Sequence, residues 1–201
     1  HGSEGVVFRK GEIAIKVYHD GISLDRENAD LISELGQASI SCIPKNFTIV
    51  QNEPNIISYQ WVEGNHPVSK TNARPWLDLL RECKEKKIAY WDLKPQNLIL
   101  SPENKLTIID IGKDLKPFEE DDWESMVRKA YLCWKHWEKP NLRELLTRSL
   151  SEHDPSSLPE LEGLASFRNA IVIQDKSDLH DPWFVEIVRS NYFGKTLDWG
   201  C

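Results

Sequence analysis

The chain lacks the patterns that assign a sequence to several common classes of protein. No run of about 18 apolar residues occurs in it, so we expect no membrane-spanning helix. Its four cysteines are scattered without C-x-x-C spacing and its six histidines form no H-x-x-x-H pair, so we interpret the cysteines as reduced thiols rather than disulfides or zinc ligands. The net charge of −7 implies no general nucleic-acid-binding surface. With no secretory signal in view, we expect a cytoplasmic protein.

What the chain contains is a dense polar stretch, YWDLKPQN, from residue 90 to 97. An apolar run and the triplet Asp-Ile-Gly that starts at Asp110 follow it. Phosphoryl transfer needs a carboxylate that orients the attacking hydroxyl, a cation near the γ-phosphate, and hard oxygen ligands for magnesium. Asp92, Lys94, and Asn97 with Asp110 supply these groups in turn. Their order and spacing resemble the catalytic loop and metal-binding turn of a kinase, and the alternative is a solvated loop with a chance Asp and Asn.

A glycine loop and a strand lysine precede this stretch. The segment GSEGVVF begins at Gly2 and fits the pattern G-x-x-G-x-V, in which Gly5 and Val7 hold the later positions. Glycines let a backbone close over phosphates without a Cβ in the way. The strand that follows ends at Lys16 and resembles the kinase strand whose lysine holds the α- and β-phosphates. An ordinary hairpin turn and a surface lysine are the alternatives, but the motifs occur in the kinase order.

A helix is predicted over residues 24–35, because Leu31, Ile32 and Leu35 share one face. A kinase needs one glutamate on this helix to orient the strand lysine through an ion pair. We choose Glu27 as that residue, with Glu34 as the fallback. Either carboxylate could instead face solvent, where most helical glutamates lie.

Two further strands are predicted over residues 46–50 and 55–61. The second runs into the sequence YQWVEG, which resembles the hinge between the two lobes of a kinase. By that resemblance, Tyr59 lies behind the adenine ring, and the backbones of Gln60 and Val62 meet its edge. The aromatic side chains of this segment could instead belong to the core.

Together these motifs resemble the eukaryotic-type protein kinase-like superfamily over roughly residues 2–135. The resemblance implies an α+β, bilobal protein kinase-like fold that uses ATP and Mg²⁺. Residues 1–64 would form a small β-rich N-lobe, residues 65–150 a helical C-lobe, and ATP would bind in the cleft between them. A buried helix of the C-lobe would begin near Asp121, whose carboxylate would brace the backbone of the catalytic loop.

Residues 151–201 differ in character from the rest and are predicted to be a linker and tail, with a helix and then a strand over 161–173. The chain ends in the sequence KTLDWGC. An apolar strand followed by Asp-x-Gly-Cys resembles the opening of the S-adenosylmethionine-binding loop of a methyltransferase, and the alternative is a plain tail. We therefore expect the natural protein to be a kinase–methyltransferase fusion, and residues from about Thr196 to pack poorly.

Departures from the kinase pattern bear on the acceptor. Trp91 replaces the arginine that reads a phosphorylated activation loop, and Ile111 replaces a phenylalanine. Only eight residues separate Gly112 from Asp121, so the activation segment that forms the platform for a peptide is shortened. This resembles lipopolysaccharide kinases and related minimal kinases, and it favours a glycan or small-molecule hydroxyl over a protein as acceptor. We predict an ATP-dependent phosphotransferase; the alternative is a pseudokinase or ATPase module that scaffolds or regulates a fused methyltransferase.

Overall fold

The computed structural model describes residues 4–22, 24–38, 40–49, 55–67, 73–136, 141–151 and 159–172. Within these ranges the chain forms eight short strands in three antiparallel sheets together with five α-helices, which confirms the predicted α+β class. No helix in the described part of the chain is both long and apolar enough to cross a membrane. The predicted methyltransferase-like end lies outside the described residues, and so does Gly2.

The first sheet covers the N-terminal third of the chain. Its strands are β1 (Gly5–Lys10), β2 (Ile13–Tyr18), β3 (Thr48–Ile49) and β4 (Ile56–Gln60), and they pair in the order β1–β2–β4–β3. β1 and β2 form a hairpin whose turn includes Gly11 in the left-handed backbone region, with φ of 61°. The register places Val7 opposite Lys16, so the glycine loop and the strand lysine are neighbours.

Helix α1 (Arg26–Gln37) confirms the helix predicted between β2 and β3. Its N-cap is Asp25, whose carboxylate accepts a hydrogen bond from the backbone N–H of Asn28 at 2.8 Å. The buried positions of the helix are Asn28, Ile32 and Leu35, which recur at the spacing of one helical face. This face fixes which α1 side chains can point inward.

The rest of the described chain is mainly helical, with short strands that carry the polar motifs. Its elements are α2 (Arg74–Glu85), β5 (Ile88–Tyr90), β6 (Leu98–Leu100), β7 (Leu106–Ile108), β8 (Leu115–Pro117), α3 (Glu120–His136), α4 (Leu142–Ser151) and α5 (Leu164–Val172). β5 pairs with β8 and β6 pairs with β7. The polar stretch therefore lies between β5 and β6, and the Asp-Ile-Gly triplet lies between β7 and β8.

The apolar core of this region includes an aromatic cluster that joins α3 to α5. Phe167 is 2% exposed, stacks on Trp134 with ring centroids 5.5 Å apart, and meets Tyr131 edge-on at 5.4 Å. The strand predicted for the last part of 161–173 is not formed, because the chain is helical through residue 172. The reason is that Phe167, Ala170 and Ile171 are buried together at helical spacing.

Candidate functional site

A cavity of about 590 Å³ lies between the four-stranded sheet and the polar stretch that follows β5. Most of the residues predicted for the site line it. They are Gly5, Val7, Lys16, Tyr59, Val62, Asp92, Lys94, Asn97 and Asp110. Two predicted residues that the structure describes, Glu27 and Gln60, are not among its lining residues.

Lys16 and Asp110 form the contact that joins the two sides of the cavity. The Nζ atom of Lys16 lies 2.6 Å from Oδ1 of Asp110, although the two residues are 94 positions apart. Lys16 is 4% exposed, and a buried cation requires a close partner of opposite charge. Tyr18 adds a second link, because its hydroxyl donates to the carbonyl oxygen of Ile111 at 3.2 Å.

Asp92 is held in place by its own loop. Its Oδ2 atom accepts hydrogen bonds from Lys94 Nζ at 2.6 Å and from Asn97 Nδ2 at 2.9 Å. Asn97 also donates to the backbone carbonyl of Asp92 at 2.8 Å. Residues 95–97 form a 3₁₀ turn, and this turn brings the Asn97 amide back toward the carboxylate. The Asn97 side-chain nitrogen is therefore occupied, which leaves its oxygen as the atom that can bind a ligand.

Tyr90 connects this loop to the Asp-Ile-Gly triplet, a role that was not predicted for it. Its hydroxyl donates to the backbone carbonyl of Asp110 at 2.9 Å and lies 3.1 Å from Asn97 Nδ2. Burial first, and then the nearby carboxylates of Asp110 and Asp92, raise the pKa of Tyr90, so the hydroxyl keeps the proton that it donates. The signal in the sequence was a tyrosine at the end of a buried strand, two residues before Asp92.

Two glycines permit close approaches at the cavity. A Cβ on Gly5 would lie 2.3 Å from the carbonyl oxygen of Val17, and one on Gly112 would lie 2.5 Å from the hydroxyl of Tyr18. Neither distance is tolerable for a real side chain. Gly5 therefore allows β1 to begin against β2, and Gly112 allows the triplet to turn beneath Lys16.

The ion pair predicted between Glu27 and Lys16 is not formed. Glu27 and the fallback Glu34 are both exposed on α1, because the inward face of this helix is set by Asn28, Ile32 and Leu35. The carboxylate beside Lys16, apart from Asp110, belongs to Glu4, whose Oε2 atom lies 3.6 Å from Lys16 Nζ.

The residues predicted for the hinge differ in burial and in whether they line the cavity. Tyr59 is buried, stacks on Phe47 with centroids 5.6 Å apart, and donates its hydroxyl to the carbonyl of Ile109 at 3.1 Å. The side chain of Gln60 is exposed, and its backbone N–H donates to the carbonyl of Lys45 at 2.8 Å. Trp61 lines the cavity, and its buried indole N–H has no hydrogen-bond partner among the described residues. A buried donor of this kind is a ready contact for a bound ligand.

Helix α3 contacts the loop that carries Asp92 through a residue other than the one predicted. Asp121 is exposed in the first turn of α3. Lys129, two turns further along, donates from Nζ to the backbone carbonyl of Trp91. Burial lowers the pKa of Lys129, while Asp92 acts in the opposite direction. The bracing contact is thus made by a cation and lies one residue before Asp92.

Asp114 adds negative charge beside the cavity. Its carbonyl accepts the N–H of Trp91 at 2.8 Å, which pairs the end of β5 with the segment before β8. Burial first, and then Glu4 and Asp92, raise the pKa of Asp114. In the described part of the chain, no group of three or more His, Cys, Asp or Glu side chains is placed to hold a metal by itself. A cation at Asp110 and Asn97 would therefore need oxygen ligands from a bound anion as well.

No family model matches the chain, and a search of curated proteins finds no match either. The case for a function therefore depends on the sequence pattern and on the geometry of the cavity.

Proposed function

We propose that the chain is an ATP-dependent phosphotransferase with a bilobal protein kinase-like fold, which transfers the γ-phosphate of ATP to a hydroxyl group. The observation that carries the proposal is the 2.6 Å ion pair between Lys16 and Asp110 at the wall of the cavity. It joins the strand lysine to the metal-binding aspartate of the predicted pattern, and these are the two side chains that must meet at the phosphates of a nucleotide. The four-stranded sheet with α1 would be the N-lobe, and the helical remainder the C-lobe.

The cavity suits a nucleotide. Its volume of about 590 Å³ lies in the range of small-molecule sites, and it carries both apolar and polar lining. Val7 and Ala14 on the sheet and Ile99 on β6 would cover the two faces of the adenine ring. Because the N–H of Gln60 is already bonded, the carbonyl of Gln60 and the N–H of Val62 are the backbone groups proposed for the adenine edge.

The polar residues divide the chemistry among them. Lys16 would bind the α- and β-phosphates, and the oxygens of Asn97 and Asp110 would hold Mg²⁺ together with phosphate oxygens. The bound Mg²⁺ would neutralise charge that develops on the phosphoryl group. Asp92 would orient the acceptor hydroxyl and take its proton, through the carboxylate oxygen that Lys94 and Asn97 do not engage. Lys94 would place a positive charge near the transferred group.

The acceptor is proposed to be a glycan or small molecule rather than a peptide. Between Gly112 and the start of α3 at Glu120, the chain forms β8, which pairs with β5. This short connection offers little surface on which an extended peptide could lie. A free hydroxyl compound can reach Asp92 without such a platform.

A second candidate, a pseudokinase that binds nucleotide without transferring phosphate, is favoured by one observation. The helix that should supply a carboxylate to Lys16 presents Asn28 at its inward position. Kinase-like proteins that have lost a catalytic group keep the fold and can still bind nucleotide. The two functions differ in transfer and not in binding.

The test is a calorimetric titration with Mg²⁺ and ATP, followed by a search for transfer of radiolabelled γ-phosphate to a panel of sugars and small hydroxyl compounds. Lys16→Met should abolish binding, whereas Lys10→Met, on the exposed end of β1, should bind as the wild type does. Binding without transfer to any acceptor or to water would favour the pseudokinase. Failure of the wild-type chain to bind ATP at millimolar concentration would refute both.

A further inference from the structure

We propose that Glu4 is the carboxylate that positions Lys16 for the phosphates, in place of a glutamate on helix α1. This inference rests on the proposed function, since it assigns a positioning residue to the same site. Glu4 lies in the glycine loop, directly before Gly5. Its side chain is only 16% exposed and lines the cavity.

The geometry gives Glu4 two cationic partners. Its Oε2 atom lies 3.6 Å from Lys16 Nζ, and its Oε1 atom lies 2.6 Å from Lys113 Nζ. The hydrogen bond and charge of Glu4 raise the pKa of Lys113. Lys113 follows Gly112 directly, so Glu4 ties the glycine loop to the metal-binding turn. A carboxylate fixed at one oxygen has its other oxygen directed at Lys16.

Helix α1 has its inward position committed to another task. The side-chain nitrogen of Asn28 donates to the carbonyl of Leu115 at 2.6 Å, and its oxygen lies 3.4 Å from Lys116 Nζ. Asn28 is 1% exposed, and its hydrogen bond to Leu115 holds α1 against β8. Glu27, its neighbour in sequence, is exposed and is not one of the carboxylates paired with Lys16.

The role follows from what happens to Lys16 when Asp110 has another partner. In the structure described, Lys16 is held between Asp110 at 2.6 Å and Glu4 at 3.6 Å. If Asp110 turns to Mg²⁺, Lys16 keeps one carboxylate only if Glu4 stays beside it. At 5% side-chain exposure, the ammonium group of Lys16 has little water around it, so a carboxylate beside it offsets the cost of its burial and fixes its position before the phosphates bind. Glu4 would thus hold the ammonium group in place and keep it directed into the cavity.

If Glu4 instead only occupied the place of the phosphates, the expected result would be different. A carboxylate that only fills the space of the phosphates would compete with the nucleotide, and its removal would tighten binding. Glu4→Gln keeps the size of the side chain and removes its charge, so it separates the two. Glu4→Asp keeps the charge on a shorter side chain, and Glu27→Gln is the matched control on α1.

The first measurement is the affinity for Mg²⁺-ATP by calorimetry, together with the turnover of ATP, on the 201-residue chain. Glu4→Gln should weaken binding about 10- to 100-fold, the range for losing a charge-assisted contact. Glu4→Asp should recover part of the loss, and Glu27→Gln should behave as the wild type. Tighter binding by Glu4→Gln, or an equal loss in Glu27→Gln, would overturn the inference.

The second measurement needs no nucleotide. A double-mutant cycle with Glu4→Gln and Lys16→Met, read from urea unfolding, should be non-additive, because the second substitution removes a contact that the first has already broken. Additive effects would overturn the inference. A wild-type chain that bound no nucleotide would refute the proposed function, and the cycle would then decide alone whether Glu4 holds Lys16.

Discussion

Replacement of Asp92 by asparagine separates the chemistry of the site from its architecture. One carboxylate oxygen, Oδ2, accepts from both Lys94 and Asn97. An asparagine can place its carbonyl oxygen at that position and keep both hydrogen bonds. Its NH₂ group then occupies the position of the other oxygen, where the acceptor hydroxyl would be oriented. The substitution therefore presents a donor where the reaction needs an acceptor of protons.

The expected magnitudes differ sharply between stability and turnover. The side chains of Asp92 and Lys94 are each 40% exposed, so solvent screens their ion pair and its loss should cost less than about 1 kcal/mol of unfolding free energy. Turnover should fall by a factor of about 100 to 10,000, the usual contribution of a positioned general base. That factor corresponds to about 3–5 kcal/mol in activation free energy. Binding of ATP should persist, because under the proposed function the phosphates would contact Lys16 and the Mg²⁺ held by Asn97 and Asp110.

The assay is phosphate transfer or release with Mg²⁺ and ATP, run beside a calorimetric titration on the same sample. Asp30→Asn is a suitable control, because this carboxylate lies on α1 with 78% side-chain exposure. The control should match the wild type in both measurements. Wild-type turnover in Asp92→Asn, with binding intact, would show that Asp92 is not the base.

Further substitutions test other parts of the site and the fold. Asp110→Ala should weaken binding of ATP far more in the presence of Mg²⁺ than in the presence of a chelator. A calorimetric loss of affinity that is the same in both conditions would show that Asp110 does not hold the metal. Asp114→Asn should raise the free energy of unfolding at pH 7, because burial raises the pKa of Asp114 and makes its ionised form unfavourable. This gain should shrink as the pH falls through the raised pKa, and urea unfolding at several pH values checks it. Phe167→Ala should cost about 3–5 kcal/mol, whereas Phe8→Ala, at a 55% exposed position, should cost less than about 0.5 kcal/mol. Treatment with phosphatase should leave activity unchanged, since Trp91 stands where an arginine would read a phosphate.

Residues whose chemistry is set by their type and spacing could be predicted from the sequence. Lys16, Asp92, Asn97 and Asp110 were chosen on this basis, and the structure brings all four to one cavity. Spacing works here because short strands, β5 to β7, leave few conformations for the loops between them. Helix α1 was predicted from the apolar residues on one of its faces, and a buried helix beginning near Asp121 was implied by the kinase resemblance; the structure contains both, as α1 and α3.

The prediction for Glu27 was wrong because a difference of one residue decides whether a helical side chain points inward or toward solvent. Successive residues on a helix are about 100° apart, so a shift of one position turns an inward side chain to solvent. The apolar pattern of α1 was compatible with either register, and the resemblance of its sequence to the corresponding kinase helix selected the wrong one. The inward residue is the amide Asn28, and its value comes from a bond to Leu115, 87 positions later. No local pattern could reveal that partner.

Glu4 and Tyr90 were missed for a related reason. Each acts through contacts with distant backbone or side-chain groups, and neither belongs to a residue type that its motif requires. In the sequence, Glu4 occupies a variable position between two glycines, and Tyr90 is the first residue of the polar stretch, with no role assigned to it. Their places became visible only when the fold brought Lys16 and Asp110 to them.

The contacts of α1 relate the shortened activation segment expected from the sequence to the lack, in the described part of the chain, of an α1 carboxylate beside Lys16. In protein kinases, movement of this helix makes and breaks the ion pair with the strand lysine, and loop phosphorylation controls the movement. Here Asn28 fastens α1 to β8, the strand between Gly112 and α3, with hydrogen bonds of 2.6 Å to Leu115 and 3.4 Å to Lys116. A helix fixed in this way could not carry a switchable partner for Lys16. A carboxylate from the glycine loop would be independent of the helix, and Glu4 occupies that place. Under the proposed function, the two departures from the kinase pattern would together leave Lys16 held in position without regulation through α1.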